Sequence, residues 1–180
     1  QWSRDVIEAK AAEVDRVALA YGMRETVRLG LPTVRLDTVD MSEIISGMGD
    51  VIERIRPEVV YTVHEGDIHS DHYVTFRALM SVLKPFYMSG LGVRRVLSFE
   101  TLSSTDAAPS QIHRVFMPTT FVDISDFIDR KIDIMAMFET ETHGDDMPRG
   151  ASSIRALARH RGATINVPYA EAFSLIREIW

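Results

Sequence analysis

Apolar residues recur along the chain with two spacings, and the longer spacing predicts amphipathic helices. Over residues 3–22 they recur every three to four positions, as the buried stripe of a helix does. Ser3 suits the N-cap of this helix and Gly22 its C-terminal cap. The same spacing predicts later helices over Met41–Ile55, over 71–83, after Ser125, and from 152 or 153 to about 160.

Runs of apolar and β-branched residues between these helices predict strands. We expect strands at 26–31, Val59–Val63, 93–101 and 121–124, while 169–180 is compatible with a strand or a helix. Helices that alternate with strands predict an α/β fold with a mostly parallel sheet. Such a sheet commonly opens with a strand, whereas this chain opens with a helix. We therefore expect the first strand of the sheet to be missing.

The composition is that of an ordinary globular domain. The chain has 180 residues, 46% of them hydrophobic, and no repeat or linker interrupts it, which predicts one domain over residues 1–180. With 20 basic and 26 acidic residues the net charge is −6, which argues against a general nucleic-acid binder. No apolar run approaches the roughly 18–20 residues of a membrane span. Because the N-terminus also has no signal-peptide pattern, we expect a cytoplasmic protein.

Candidate chemistry is concentrated at residues 64–72, directly after the predicted strand Val59–Val63. Three of the six histidines and three carboxylates fall within this segment. Ligands of an open α/β sheet bind at the carboxyl ends of its strands, so the placement suits a site. Because the chain has no cysteine, any metal would need histidine or carboxylate ligands.

The spacing within this segment allows two interpretations. His69 and His72 can face one cleft, with Asp71 orienting one of the two imidazoles through its other ring nitrogen. The plainer alternative is a solvated helix N-terminus, in which Asp67, Ser70 and Asp71 are caps and the histidines are incidental.

These residues also resemble a known family. The run 59–62 followed by 67–74 is similar to the second motif of the LmbE/PIG-L family of zinc-dependent de-N-acetylases, which reads approximately D-x-H-x-D-H after a strand. Other segments resemble further parts of that family in the same order: 98–100 with 103–105, 116–125 with Lys131, 148–150, 154–162 and 169–173. Thr119 or Thr120 stands where the family usually has Asn, and Gly150 stands where it has Ser.

The resemblance implies a Rossmann-like three-layer sandwich that binds one zinc ion with a position open for water. By position in the motif, His72 resembles the third zinc ligand, and His69 resembles the histidine that stabilises the tetrahedral intermediate. Asp71 resembles the carboxylate that orients His69. The implied reaction removes an acetyl group from a small-molecule N-acetylglucosamine-type sugar or sugar conjugate. Because family members often self-associate, the resemblance also leaves room for a homo-oligomer.

The family's first motif, A-H-P-D-D-E, is absent from these residues. In the family it supplies a histidine and an aspartate as zinc ligands and a second aspartate as general base. Since the chain does not begin with Met, we expect that it lacks an N-terminal portion which carries the remaining ligands. The alternative is an inactive protein that truly lacks the motif. His72 alone would bind zinc weakly.

Four further residues are weaker candidates. Arg149, in a polar loop, is predicted to bind substrate, with a plain surface arginine as the alternative. Glu171 lies among apolar residues and is predicted to support the site, unless it faces solvent. Asp67 is expected to be a turn residue or a support for a ligand rather than a metal ligand itself. His143 could lie at a helix end, where the dipole favours a protonated imidazole.

The first functional hypothesis is therefore a zinc-dependent N-deacetylase. The second is a catalytically inactive sugar- or nucleotide-binding module on the same fold, which metal analysis would distinguish from the enzyme. A third, an unrelated nucleotide-binding α/β protein, is disfavoured because the sequence contains no G-x-G-x-x-G or P-loop string.

Overall fold

A computed structural model describes residues 3–142 and 144–180. Gln1, Trp2 and His143 lie outside the described residues. The expectation of a further N-terminal portion and the expectation that His143 lies at a helix end therefore stay predictions. Within the described residues the chain forms six α-helices: α1 (Arg4–Tyr21), α2 (Met41–Ile55), α3 (Ser70–Val82), α4 (Pro85–Leu91), α5 (Ile128–Ala136) and α6 (Ala151–Thr164). It also forms four strands: β1 (Val59–Val63), β2 (Arg95–Phe99), β3 (Thr120–Asp123) and β4 (Ala170–Glu178).

The chain divides into two compact units. The first consists of Gln1–Val27 and Val122–Glu171, and it contains α1, α5 and α6. The second consists of Arg28–Phe121 and Ala172–Trp180, and it contains α2, α3, α4, β1 and β2. Strands β3 and β4 each run across the boundary between these ranges. The assignment of a single domain stays a prediction.

The strands form one mixed sheet in the order β1-β2-β4-β3. Strand β1 pairs with β2 in parallel, whereas β4 pairs with β2 antiparallel, with a register shift between Val96 and Leu97. Thr119 N–H donates to the carbonyl of Phe173, so β3 also meets β4 along this edge. The α/β class is therefore confirmed, but the expectation of a mostly parallel sheet is wrong. The apolar pattern of a strand does not record its direction, and β4 enters the sheet opposite to β2.

The core of the second unit lies between β2 and the helices α2, α3 and α4. Its buried members are Ile52, Leu79, Val82, Leu83, Met88, Val93 and Val96. On another side of α3, Val74 and Ala78 pack against Ile44 of α2. Full burial of one such large side chain stabilises the fold by about 1.5–3 kcal/mol. Helix α3 is thus anchored on two sides, which fixes the position of its N-terminus beyond the end of β1.

The first unit begins with α1, whose ends agree with the predicted caps. The Ser3 hydroxyl accepts a hydrogen bond from the amide of Val6 at 3.4 Å, and Gly22 ends the helix with a φ of 71°. Helix α1 buries Val17 and also Glu13, an acidic residue. The Glu13 carboxylate accepts hydrogen bonds from the Thr140 amide at 3.0 Å and the Thr140 hydroxyl at 2.7 Å.

Two predicted elements differ in the structure. Residues 26–31 form no strand, because Gly30 turns the chain with a φ of 68° and the side chains of Val27 and Leu29 stay about 40% exposed. Helix α6 continues to Thr164 instead of ending at about residue 160. A Cβ at position 162 would lie 2.6 Å from the carbonyl of Val167, so this glycine allows close backbone approach rather than ending the helix.

Helix α4 was not predicted, and the ambiguous segment 169–180 contains β4. In the part of the chain that the structure describes, no helix has the length and apolar character needed to cross a membrane.

Candidate active site

The candidate site lies where β1 ends and α3 begins. The loop between them passes close to the backbone of Arg114, and His64 Nε2 lies 3.0 Å from the Arg114 carbonyl oxygen. A Cβ at position 66 would overlap that oxygen and would also lie 2.7 Å from His64 Nε2. Only glycine fits at this position, and it lets the loop turn so that Asp67 enters the interior.

His69 is the N-cap of α3. Its Nδ1 atom accepts a hydrogen bond from the amide of Asp71 at 3.2 Å. A neutral imidazole carries one proton, so a ring that accepts at Nδ1 carries its proton on Nε2. His69 therefore presents a hydrogen-bond donor at its far edge.

His72 lies in the first turn of α3 and has the opposite tautomer. Its Nδ1 lies 2.6 Å from Oδ2 of Asp67, whose side chain is fully buried. An ionised carboxylate can only accept, so Nδ1 of His72 carries the proton and Nε2 keeps a free lone pair. The side chain of His72 is 21% exposed. An imidazole held in this way by a carboxylate is the usual arrangement of a histidine that binds a metal.

The two rings stack on each other. Their centroids are 4.8 Å apart and their planes differ by 25°. Because the tautomers are opposite, a donor on His69 lies beside an acceptor on His72. His69 can therefore donate a hydrogen bond to one atom of a ligand, while His72 accepts a hydrogen bond from another atom or binds a metal ion.

Asp71 does not contact an imidazole through its carboxylate. Its two oxygens accept hydrogen bonds from the amides of Val34 at 2.6 Å and Leu36 at 3.2 Å. The expected carboxylate–imidazole contact is made instead by Asp67, which the preceding loop carries inward. Asp71 contacts His69 only through its own backbone amide. The carboxylate of Asp71 points toward a turn that is distant in sequence, which local spacing could not indicate.

Arg149 and Glu171 lie in the first unit and are both ion-paired there. Arg149 pairs with Glu141, which also pairs with Lys10, and Glu171 pairs with Lys131. Burial alone would raise the pKa of Glu141, but hydrogen bonds and charge from Lys10 and Arg149 together lower it. Glu171 is about one-third exposed, so it is neither deeply buried nor freely solvated.

Gly150 stands where the resemblance predicts serine. A Cβ at this position would overlap the carbonyl oxygen of Asp145 and would lie 2.6 Å from that of Gly144. A serine therefore cannot occupy this loop without moving the backbone, and the departure from the family pattern matches the local structure.

Thr105 has no role that the sequence indicates beyond its place in a motif. Its hydroxyl donates to Oδ1 of Asp67 at 2.6 Å. The signal that could have found it is topological. Strands β1 and β2 are parallel, so the loops after them meet at the same edge of the sheet.

The described residues do not provide a complete zinc site. His72 fits one ligand position, since Asp67 leaves its Nε2 lone pair free. Over residues 3–142 and 144–180, however, no three His, Asp or Glu side chains are grouped so that they could hold a metal ion.

Comparison with protein families supports the resemblance seen in the sequence. The family model described as PIG-L, GlcNAc-PI de-N-acetylase, matches residues 1–83, which include β1, the N-cap His69 and the whole of α3 with His72. The likeness to the LmbE/PIG-L family is thereby confirmed over this part of the chain. No curated protein matches the sequence.

Solved structures share the fold. The conserved protein TT1542 of Thermus thermophilus superposes with a TM-score of 0.74 at 23% identity, over 96% of this chain and 75% of that one. An N,N'-diacetylchitobiose deacetylase from Pyrococcus horikoshii gives 0.64 at 16% identity, over 94% of this chain and 64% of that one. GalB, the 4-carboxy-2-hydroxymuconate hydratase of Pseudomonas putida, gives 0.65 at 18% identity, over 100% and 76%. At these identities the likeness establishes the fold alone.

Proposed function

We propose that the protein is a metal-dependent hydrolase that removes the acetyl group from an N-acetylglucosamine-type sugar or sugar conjugate. The observation that carries this proposal is the stacked pair of opposite tautomers, His69 and His72, at the end of β1. The match to a de-N-acetylase family model and the fold shared with a diacetylchitobiose deacetylase support the same class of reaction.

The reaction adds water across the amide bond and yields acetate and a free amine. Its transition state develops negative charge on the carbonyl oxygen, and the departing nitrogen needs a proton. In the proposal, the Nε2–H of the neutral His69 donates a hydrogen bond to that oxygen, and the attacking water supplies the proton that the departing nitrogen needs. Asp71 supports His69 through the amide that holds its Nδ1.

Zinc is the proposed metal, with Nε2 of His72 as one ligand. When bound, zinc would lower the pKa of a coordinated water from about 15.7 to about 7. Asp67 fixes the tautomer of His72 that such binding needs. The proposal requires donors in addition to His72, because one imidazole is a weak chelator.

Arg149 is proposed to bind the polyhydroxyl substrate. A guanidinium has five N–H donors, so its pairing with Glu141 leaves donors for sugar hydroxyls. Glu171 is proposed to have a supporting role and is paired with Lys131.

The proposal is tested by zinc content and by acetate release from N-acetylglucosamine conjugates. The purified protein should contain zinc in about equimolar amount. His72→Gln should lose the metal and at least about 100-fold of the rate, whereas His160→Gln, which changes an exposed histidine of α6, should retain both. Unchanged zinc and rate in His72→Gln would refute the assignment. Sugar binding without hydrolysis would favour the inactive binding module.

His69 has its own pair of variants, because it is both a cap and the proposed donor. His69→Asn keeps a side-chain acceptor at the N-cap, whereas His69→Ala removes the cap and the donor together. Both should lower kcat by about 10²- to 10⁴-fold without loss of bound zinc. Only His69→Ala should also lower the melting temperature. A fully active His69→Asn would exclude His69 as the donor.

A further inference from the structure

We infer that Thr105 is a positioning residue of this site, which fixes the carboxylate of Asp67 and through it the tautomer of His72. The functional meaning of this inference rests on the proposed function above, whereas the relay itself can be measured without any substrate. The relay consists of Thr101 N–H, the Thr105 hydroxyl, the Asp67 carboxylate and Nδ1 of His72.

The hydroxyl of Thr105 has a defined direction. It accepts a hydrogen bond from the amide of Thr101 at 2.7 Å, and this amide can only donate. The hydroxyl proton of Thr105 is therefore free to point to Oδ1 of Asp67, which lies 2.6 Å away. The Thr105 hydroxyl thus accepts from Thr101 and donates to Asp67, so the direction of donation runs toward the carboxylate.

Both oxygens of Asp67 are used by this relay. Oδ1 accepts from Thr105 and Oδ2 accepts from His72, both at 2.6 Å. The side chain of Asp67 is fully buried, so solvent cannot replace a lost partner. If the Thr105 hydroxyl is removed, Oδ1 is left without a donor, and the carboxylate is expected to rotate toward other donors. Rotation moves Oδ2 away from His72 and releases the constraint on its tautomer.

The backbone hydrogen bonds between the two loops do not depend on the Thr105 hydroxyl. The amides of Ser104 and Thr105 donate to the carbonyl of Thr101 at 3.0 and 2.9 Å, and the amide of Ile68 donates to the carbonyl of Ser104 at 3.0 Å. These bonds tie the loop after β2 to the loop after β1. Removal of the hydroxyl leaves these bonds in place, and within the loop backbone it takes an acceptor only from the Thr101 amide.

The chain offers a matched set of variants at this position. Thr105→Val keeps the β-branched shape, which restricts χ1, but removes the hydroxyl. Thr105→Ser keeps the hydroxyl and loses only the methyl group. If Thr105→Val does not fold, Thr105→Ala replaces it in the comparison with Thr105→Ser.

The decisive measurement is the tautomer of His72 in metal-free protein labelled with ¹⁵N-histidine. Long-range ¹H–¹⁵N correlation spectra distinguish the two tautomers, and the signals of His72 are those missing in His72→Gln. We expect the Nδ1–H tautomer in the wild type and in Thr105→Ser, and a mixture or the Nε2–H tautomer in Thr105→Val. A wild-type pattern in Thr105→Val would overturn the inference.

Hydrolysis provides the second readout. If the protein hydrolyses N-acetylglucosamine conjugates, Thr105→Val should lower kcat by about 10- to 100-fold, and Thr105→Ser should restore most of it. An unchanged kcat in Thr105→Val would show that the relay has no role in the reaction. If the wild type has no such activity, the proposed function fails, and the tautomer measurement still decides whether Thr105 positions His72.

Discussion

Oδ2 of Asp67 lies 2.6 Å from Nδ1 of His72, and this contact separates the roles of two stacked histidines. His72 is held by a buried carboxylate and keeps a lone pair on Nε2, whereas His69 is held by a backbone amide and keeps a proton there. The resemblance to the family motif gives the two rings different roles, and the structure shows a different hydrogen-bond partner for each. Their partners make one a donor and the other an acceptor.

Replacing Asp67 by Asn should reverse the tautomer of His72. In the wild type both neighbours of Asp67, the Thr105 hydroxyl and the His72 ring, donate to its carboxylate. The side chain of Asn has one acceptor group and one donor group. The Asn side chain can satisfy only one of these two neighbours. We expect Asp67→Asn to weaken zinc binding by about 10- to 100-fold, measured by competition with a chromogenic chelator.

Asp106→Asn is the matched control for this change, since Asp106 is an exposed acid beside Thr105. It alters the net charge by the same amount and should leave zinc affinity unchanged. Equal losses in the two variants would indicate a general electrostatic effect rather than control of the tautomer.

Asp71→Asn should act mainly on stability. The Asp71 carboxylate accepts from the amides of Val34 and Leu36, and an amide side chain has only one acceptor oxygen for these two donors. We expect the free energy of unfolding to fall by about 1–2 kcal/mol in urea titration. The His69 cap uses the backbone amide of residue 71 and should survive. A large loss of kcat with unchanged stability would instead assign the Asp71 carboxylate a direct part in catalysis.

Val34 adopts a left-handed backbone conformation, with a φ of 59°, although it is β-branched. Such a conformation costs about 1–3 kcal/mol for a residue other than glycine. Glycine removes that strain but costs about 0.5–1 kcal/mol in chain entropy. Because the side chain is 55% exposed, little burial is lost. Val34→Gly should therefore raise the free energy of unfolding by about 1 kcal/mol in urea titration.

Val27→Gly is the control for this prediction. Val27 is exposed to a similar degree, at 43%, but it is not among the residues with a positive φ. Glycine at position 27 should therefore lower stability slightly through chain entropy. Destabilisation by Val34→Gly would show that the turn does not strain the valine.

Local patterns predicted much of the secondary structure. Helix α2 and strand β1 have the predicted bounds, Met41–Ile55 and Val59–Val63, because periodicity and the nearby Pro57 decide them within a few residues. The direction of β4 and the absence of a strand at 26–31 were not predictable in this way. Both depend on which segments pair in space, and the pairing partners are distant from one another in the sequence.

In the candidate site, too, the local sequence pattern predicted some features, while contacts with distant segments decided others. The segment that carries His69 and His72 was found from its density of imidazoles and carboxylates after a strand. That density did not show whether Asp67 or Asp71 is the partner of an imidazole. The Asp71 carboxylate is engaged by amides of the turn at 33–36, and Thr105 reaches Asp67 from the loop after β2. Those contacts are set by the packing of distant segments.

Glu13 of α1 is buried in the first unit. The hydrogen bond from the Thr140 hydroxyl lowers the pKa of Glu13 against the opposing effect of burial, and the Thr140 amide, Lys10 and Arg16 lower it further. A lowered pKa in the folded state means that ionised Glu13 stabilises the fold. This stabilisation is complete above the ordinary glutamate pKa of about 4.3 and is lost as pH falls through the lower pKa of the folded state.

Glu13→Gln should therefore have a lower melting temperature than the wild type at pH 7, and the difference should shrink as pH falls below about 4. Protonated glutamate and glutamine are similar in shape and charge, so the two proteins should converge in acid. Glu8→Gln, on the exposed part of α1, should show a small difference at pH 7, because exposed ion pairs such as Arg4–Glu8 contribute little. A melting difference for Glu13→Gln that stays constant from pH 7 to pH 3 would mean that lost packing, rather than the ionised carboxylate, accounts for the effect.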